Sequence, residues 1–271
     1  MQKQLIGLTA KLFPNFFIKK AIQGLTTPKI YEMRDSEKEL LASAEQGKEE
    51  IEGFQIQTYN WPGEGKKILM IHGWEGQAGN FAFIVDRLLP QGYNLFSFDG
   101  PAHGNSSKGP TSPFHFSQVV AEMIRRVEPD YLITHSFGGV ATVFALSQNP
   151  DIEIEKCLLY SVPDRFKDRI HDIATMVGLP ESVEAKLMVE VANIWGMDPE
   201  SQNVSDLVAK TNVKKAMIIA DRGDKITKFA YSENVAKKWP IAQFEAVEGT
   251  GHFRILKTEF VLEKMEAFIN G

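Results

Sequence analysis

From residue 54 onward, short apolar runs alternate with longer stretches whose apolar positions recur at helical spacing. The runs at 68–71, 93–98, 131–134, 156–161, 216–220 and 242–247 have the length and composition of buried strands. Between and after them, residues 78–89, 113–127, 136–148, 229–239 and 254–269 read as helices. Ser112 is placed to cap the second of these, with Pro113 at its first helical position. Strands alternating with helices of this length predict an α/β fold, a mostly parallel sheet covered by helices on both faces. Phe54, Ile56 and Thr58 alternate with glutamines and predict a half-exposed edge strand. Residues 1–50 read as helical with a break near Pro28, and the charged stretch from Glu37 to Glu50 reads as a solvated helix or linker. After Pro163 the alternation stops. Residues 164–210 carry helical stretches at 165–177, 181–195 and 205–210 and then give way to strands again. An insert between two sheet strands is expected over their carboxyl ends, where open α/β sheets bind ligands.

Composition narrows the class. The 271 residues are 43% hydrophobic and 24% charged, ordinary for a water-soluble globular protein. A net charge of -5 argues against a nucleic-acid partner, which calls for a basic face. The single cysteine, Cys157, rules out an internal disulfide and a cysteine-based metal site and reads as a core thiol. No stretch approaches the ~20 apolar residues of a membrane span. The apolar segment 5–22 is interrupted by Lys11, Pro14, Asn15, Lys19 and Lys20 and lacks the layout of a signal peptide. It either packs on the domain as an amphipathic helix, the reading preferred here, or lies on a membrane surface. The expected location is cytoplasmic; nothing in the pattern indicates an oligomeric state.

The ends of the strands carry the chemistry. His72-Gly73-Trp74-Glu75-Gly76 follows the run at 68–71, and Asp99 to Ser106 follows that at 93–98. Thr134-His135-Ser136-Phe137-Gly138-Gly139 spans a strand-to-helix corner; Asp221 to Asp224 and Gly249 to His252 follow the last two strands. A serine hydroxyl needs a base to take its proton, and the base needs an orienting carboxylate. Ser136, Asp224 and His252 supply these three groups, each at the carboxyl end of a predicted strand and in the chain order that resembles the α/β-hydrolase arrangement. Asp221 is the alternative acid, and its other reading is a carboxylate that organises its loop. A developing oxyanion needs two N–H donors; Phe137, directly after the serine, and Trp74 are the candidates. A zinc site built from His72, Asp99, His103 and His252 lacks a compact ligand motif. Glu75 either faces the pocket, where it would disfavour anionic substrates, or lies at the surface. Arg254 either faces the pocket or starts the last helix.

In these motifs the chain resembles the α/β-hydrolase family, from about Phe54 to the C-terminus. The nearest likeness is to bacterial hydrolases and esterases with a short helical cap. The resemblance implies an α/β-hydrolase core over 51–163 and 211–271, a helical cap insert over 164–210, and an N-terminal helical segment, 1–50, packed on the core. It assigns His72 and His103 to loop scaffolding. It implies a serine hydrolase that opens a small-molecule ester or related acyl substrate through an acyl-enzyme on Ser136, with no cofactor and no metal. The alternative is a ligand-binding member of the fold without turnover. The sequence departs from the family's G-x-S-x-G corner at Thr134, which stands where the first glycine is expected.

Overall fold

The computed structural model describes residues 9–195 and 198–271. In chain order, after a helical turn over 9–12, come α1 (Pro14–Thr26), α2 (Asp35–Ser43), β1 (Glu45–Ile51), β2 (Phe54–Trp61) and β3 (Lys67–Ile71). Then follow α3 (Ala82–Leu88), β4 (Asn94–Phe98), α4 (Pro113–Val127), β5 (Tyr131–His135), α5 (Phe137–Gln148) and β6 (Glu153–Tyr160). The remainder is α6 (Phe166–Val177), α7 (Glu181–Trp195), α8 (Val204–Leu207), β7 (Asn212–Asp221), α9 (Phe229–Lys238), β8 (Ala242–Val247), α10 (Gly251–Arg254) and α11 (Glu259–Asn270).

The eight strands among the described residues form one sheet in the order β1-β2-β4-β3-β5-β6-β7-β8. Pairings β1–β2 and β2–β4 are antiparallel and the rest parallel. Side chains alternate across a strand, and the core divides accordingly. Leu69, Ile71, Leu132, Cys157, Leu159 and Ile218 face one side, with Val120 and Ile124 of α4 and Ala141 and Ala145 of α5. Ile68, Met70, Ile133, Leu158 and Ile219 face the other, against Ile84, Val85 and Leu88 of α3 and Val261, Leu262 and Met265 of α11. The Ser112 hydroxyl accepts from the His115 N–H at 3.2 Å and caps α4. Cys157 is buried, and burial pushes its thiol up to about 12.

Three local readings are corrected. Residues 45–51 are neither helix nor linker but the outermost strand, β1, paired with β2 from Glu45–Asn60 to Ile51–Phe54. Only Ile51 of that strand is buried, so its sequence carries no apolar signal. Because β1 covers it, β2 is an interior strand, not an edge. The final helix does not begin at Arg254. A short turn of helix, α10, is followed by a break, and α11 starts at Glu259 with Thr258 extended before it.

The chain forms two compact units. The larger holds Lys29–Asp164 and Val204–Gly271 and contains the whole sheet. The smaller comprises the residues up to Pro28 and Arg165–Asn203. Its core joins Ile18, Ala21 and Leu25 of α1 to Ile170 and Ile173 of α6 and Val183, Leu187 and Val191 of α7. No helix among the described residues is long and apolar enough to cross a membrane.

Candidate active site

The corner after β5 is built from close backbone packing. Ser136 sits at φ 53°, ψ −122°, a conformation that L residues rarely adopt and that persists only when surrounding structure enforces it. The Ser136 N–H donates to the Tyr160 carbonyl at 2.8 Å, carrying the β5–β6 ladder one residue past the strand. A Cβ at Gly138 would fall on the carbonyl oxygens of Ile71 and His72, so only glycine lets α5 start against the end of β3. A Cβ at Gly73 would lie 3.0 Å from Ser136 Cβ and 3.1 Å from the His135 carbonyl, so the loop after β3 runs directly beside the corner. The rings of Trp74 and Phe137 meet edge to face, their centroids 5.6 Å apart.

Thr134 is fully buried, and its hydroxyl points to the Leu158 carbonyl at 3.4 Å. A Cβ at Gly139 would stand 3.0 Å from Thr134 Oγ1. The glycine missing from the front of the corner is thus matched by a second glycine behind it, which leaves room for the threonine side chain.

Asp224 and His252 form a buried pair, with Nδ1 to Oδ2 at 2.8 Å and side chains only 1% and 5% exposed. The other carboxylate oxygen accepts the N–H groups of Ile226 and Thr227 at 2.8 and 2.9 Å. Burial pushes the Asp224 carboxyl up. The hydrogen bond and charge of His252 and the two backbone donors outweigh it, and the group titrates below its ordinary range. An ionised Asp224 accepts the Nδ1 proton, which leaves Nε2 as the basic nitrogen.

Asp221 does a different job. Its Oδ2 accepts from the Thr250 N–H at 2.5 Å, the Thr250 hydroxyl at 2.8 Å and the Gly251 N–H at 2.9 Å, while Oδ1 accepts from the Gly223 N–H at 2.6 Å. It therefore ties the end of β7 to the loop that carries His252. Arg254 braces the same loop, donating to the carbonyls of Thr250 and Gly249 at 3.1 and 2.8 Å. Glu75, at φ 61°, accepts from the Lys29 N–H at 3.3 Å and the Tyr31 hydroxyl at 3.5 Å.

His72 joins two loops: its Nδ1 donates to the Gly73 carbonyl at 2.7 Å and its Nε2 accepts from the Gly100 N–H at 2.8 Å. His103 donates from Nδ1 to the Pro101 carbonyl at 2.9 Å and packs against Trp74, with ring centroids 5.1 Å apart. Asp99, buried beneath them, accepts from the N–H groups of Ala78 and Asn105 and from the Tyr59 hydroxyl. Sequence reading misses one link. His135 Nε2 donates to the His252 carbonyl at 2.8 Å, and the two rings lie 4.7 Å apart. Burial, reinforced by the neighbouring His252, pushes His135 down to about 3, so it is a neutral donor. The only sequence signal is a histidine directly before the corner serine.

The structure thus brings Ser136, Phe137, Trp74, Asp224 and His252 to the carboxyl ends of β3, β5, β7 and β8. Among the described residues, no hydrogen bond joins Ser136 Oγ to His252, and no group of three or more His, Cys, Asp or Glu is arranged to hold a metal ion. A cavity of about 410 Å³ in the larger unit, bordered by Tyr31, Lys38, Tyr59, Gln77 and Asn105, includes none of the five.

A strained serine between strand and helix, on a sheet whose parallel strands all deliver loops to one edge, defines the hydrolase class of α/β proteins. A model of the alpha/beta hydrolase family matches residues 68–264, and the chain belongs to that family. Among curated relatives, the pimeloyl-acyl-carrier protein methyl ester esterase of Xanthomonas oryzae is 33% identical over 90 residues, 33% of this chain and 35% of that protein. The chain thus spans about a third of that relative's length. The Xanthomonas campestris enzyme of the same name is 23% identical over 246 residues, 76% of this chain and 96% of that protein. Among solved structures, an esterase from Exiguobacterium antarcticum superposes with a TM-score of 0.64 at 19% identity, covering 82% of this chain and 97% of that one. At that identity the likeness speaks for the fold alone.

Proposed function

We propose that the chain is a serine hydrolase that cleaves an ester or related acyl bond through an acyl-enzyme on Ser136. The observation that carries this reading is the buried Asp224–His252 pair, 2.8 Å apart, at the same sheet edge as the strained Ser136. In this mechanism His252 Nε2 takes the proton from Ser136 as Oγ attacks the carbonyl carbon. Asp224 stabilises the resulting imidazolium and fixes its tautomer. The tetrahedral oxyanion is held by the Phe137 N–H, an orphan donor at the start of α5, and by the Trp74 N–H. His252 then protonates the leaving group and activates water to release the acyl chain. The esterase relatives favour an ester over other acyl bonds.

A ligand-binding role without turnover has one observation on its side, the missing hydrogen bond between Ser136 and His252. Catalytic hydrogen bonds without substrate are often long and tighten in the complex. A fluorophosphonate probe separates the two readings. Ser136 becomes labelled, and both labelling and hydrolysis of p-nitrophenyl esters are lost in Ser136→Ala and fall by at least ~10⁴-fold in His252→Ala, with the fold intact. Folded protein that reacts with neither probe nor activated esters overturns the proposal. A series of p-nitrophenyl esters of rising chain length reports the acyl preference.

A further inference from the structure

Charge is unevenly spread along the chain. The first 31 residues contain Lys3, Lys11, Lys19, Lys20 and Lys29 and no Asp or Glu, in a protein of net charge -5. Within the smaller unit, Lys11, Lys19 and Lys20 are exposed, and among the described residues no ion pair engages them. The same segment exposes large apolar side chains: Leu12 is 68%, Phe13 64% and Phe16 60% accessible.

The helix geometry places one of these rings, that of Phe16, opposite the buried side of α1. Ile18, Ala21 and Leu25 are the buried positions of α1. At 3.6 residues per turn, Phe16 falls about 180° from the middle of that stripe. Lys19, Lys20 and Gln23 surround it on the solvent side, and all three are exposed. An ordinary surface helix puts polar groups opposite its buried stripe. Here an exposed aromatic ring stands among them. Pro14, at the first position of α1, separates that helix from the turn over 9–12, and Leu12 and Phe13 are presented at the junction.

We propose that this face is a docking surface for an anionic lipid bilayer, with Leu12, Phe13 and Phe16 entering the headgroup boundary and Lys11, Lys19 and Lys20 held against lipid phosphates. Exposed apolar anchors interleaved with lysines over one short segment are the chemistry of interfacial attachment. Charge decides against a second copy as the occupant. A two-fold contact would set the same patch on both subunits face to face, bringing lysine against lysine. This attachment is independent of the acyl chemistry proposed for Ser136, and either can fail without the other.

The test is sedimentation of the full chain with vesicles of phosphatidylcholine, alone or with about one-third phosphatidylglycerol. The protein pellets with the anionic vesicles, and about 0.5 M salt releases it by screening. Each lysine removed at such a surface weakens attachment about five-fold, so Lys19→Gln/Lys20→Gln loses about twenty-five-fold. Phe13→Ser/Phe16→Ser loses at least about ten-fold. Circular dichroism of both variants matches the parent. Equal binding to both vesicle types, binding to neither, or binding that both variants retain overturns the proposal. So does self-association that Phe13→Ser/Phe16→Ser abolishes without any vesicle binding, which would give the face to a second copy.

Discussion

Thr134 shows how a local departure is absorbed by packing. At the corner where a first glycine is expected, a buried threonine is accommodated because Gly139 has no side chain: a Cβ there would stand 3.0 Å from Thr134 Oγ1 and 3.1 Å from Val162 Cγ2. The two positions should therefore be energetically coupled. Gly139→Ala alone is expected to cost about 1–3 kcal/mol through overpacking. The double variant Thr134→Ala/Gly139→Ala should cost less than the sum of the two single variants by about 1 kcal/mol, as contacting residues do. Urea denaturation of the four proteins closes this cycle, and strict additivity would show that the contact is not shared. Residue-scale chemistry is only partly legible in sequence. Serine, aspartate and histidine at strand ends stand out by type and order. Asp221 and Asp224, three residues apart, do not separate by spacing; the direction of each carboxylate does that, one toward His252 Nδ1 and the other toward backbone donors. The donation from His135 to the His252 carbonyl crosses 117 positions and leaves no local trace.

Among the elements, the loop after β8 depends most on partners outside itself. It holds Gly249 and Gly251 at φ 81° and 63°, makes the single turn of α10, and is pinned by Asp221 and Arg254. Asp221→Ala would leave the donors of Thr250, Gly251 and Gly223 without their acceptor. It is expected to cost about 2–4 kcal/mol, seen as a lowered urea midpoint with unchanged far-ultraviolet dichroism. If the midpoint does not move, water replaces the carboxylate and the loop is not braced this way. Interior elements announce themselves by continuous apolar runs, which is why the parallel strands are readable in the sequence. β1 does not, because a ribbon strand that buries only Ile51 leaves its polar residues free of any periodicity. Nor does the break before α11, because Ile255 and Leu256, buried in the turn that follows α10, continue the apolar pattern across it.

Across the whole molecule, His72, His103 and His135 are buried and held neutral, His103 and His135 at about 3 and His72 also below its ordinary value, with burial the leading cause in each. The unfolded chain protonates the same groups near 6.5. Their depressed folded values mean that the stability they permit is complete above about pH 6.5 and declines as pH falls toward 3, because over that window only the unfolded state takes up the protons. His103 and His135 together give a slope of up to about 3 kcal/mol per pH unit, and His72 acts in the same direction. Asp221 and Asp224, both held below the ordinary carboxylate range, extend the loss at lower pH. Thermal melting between pH 7.5 and 4.5 is the measurement. A midpoint that stays level to pH 4.5 would mean that the histidines find solvent or a partner anion in the folded state.

β1 has one more consequence, for life in a crowded solution. It is the last strand on its side of the sheet, so one row of its backbone donors and acceptors is unpaired within the sheet. Such a rim invites strands from other molecules to add on, the first step toward insoluble aggregates. Glu45, Lys48 and Glu50 are exposed along it while Glu49 pairs with Arg126 of α4, so an approaching identical rim would meet two carboxylates for each ammonium. The charge that hides this strand from a reader of the sequence is also what guards the sheet against growth.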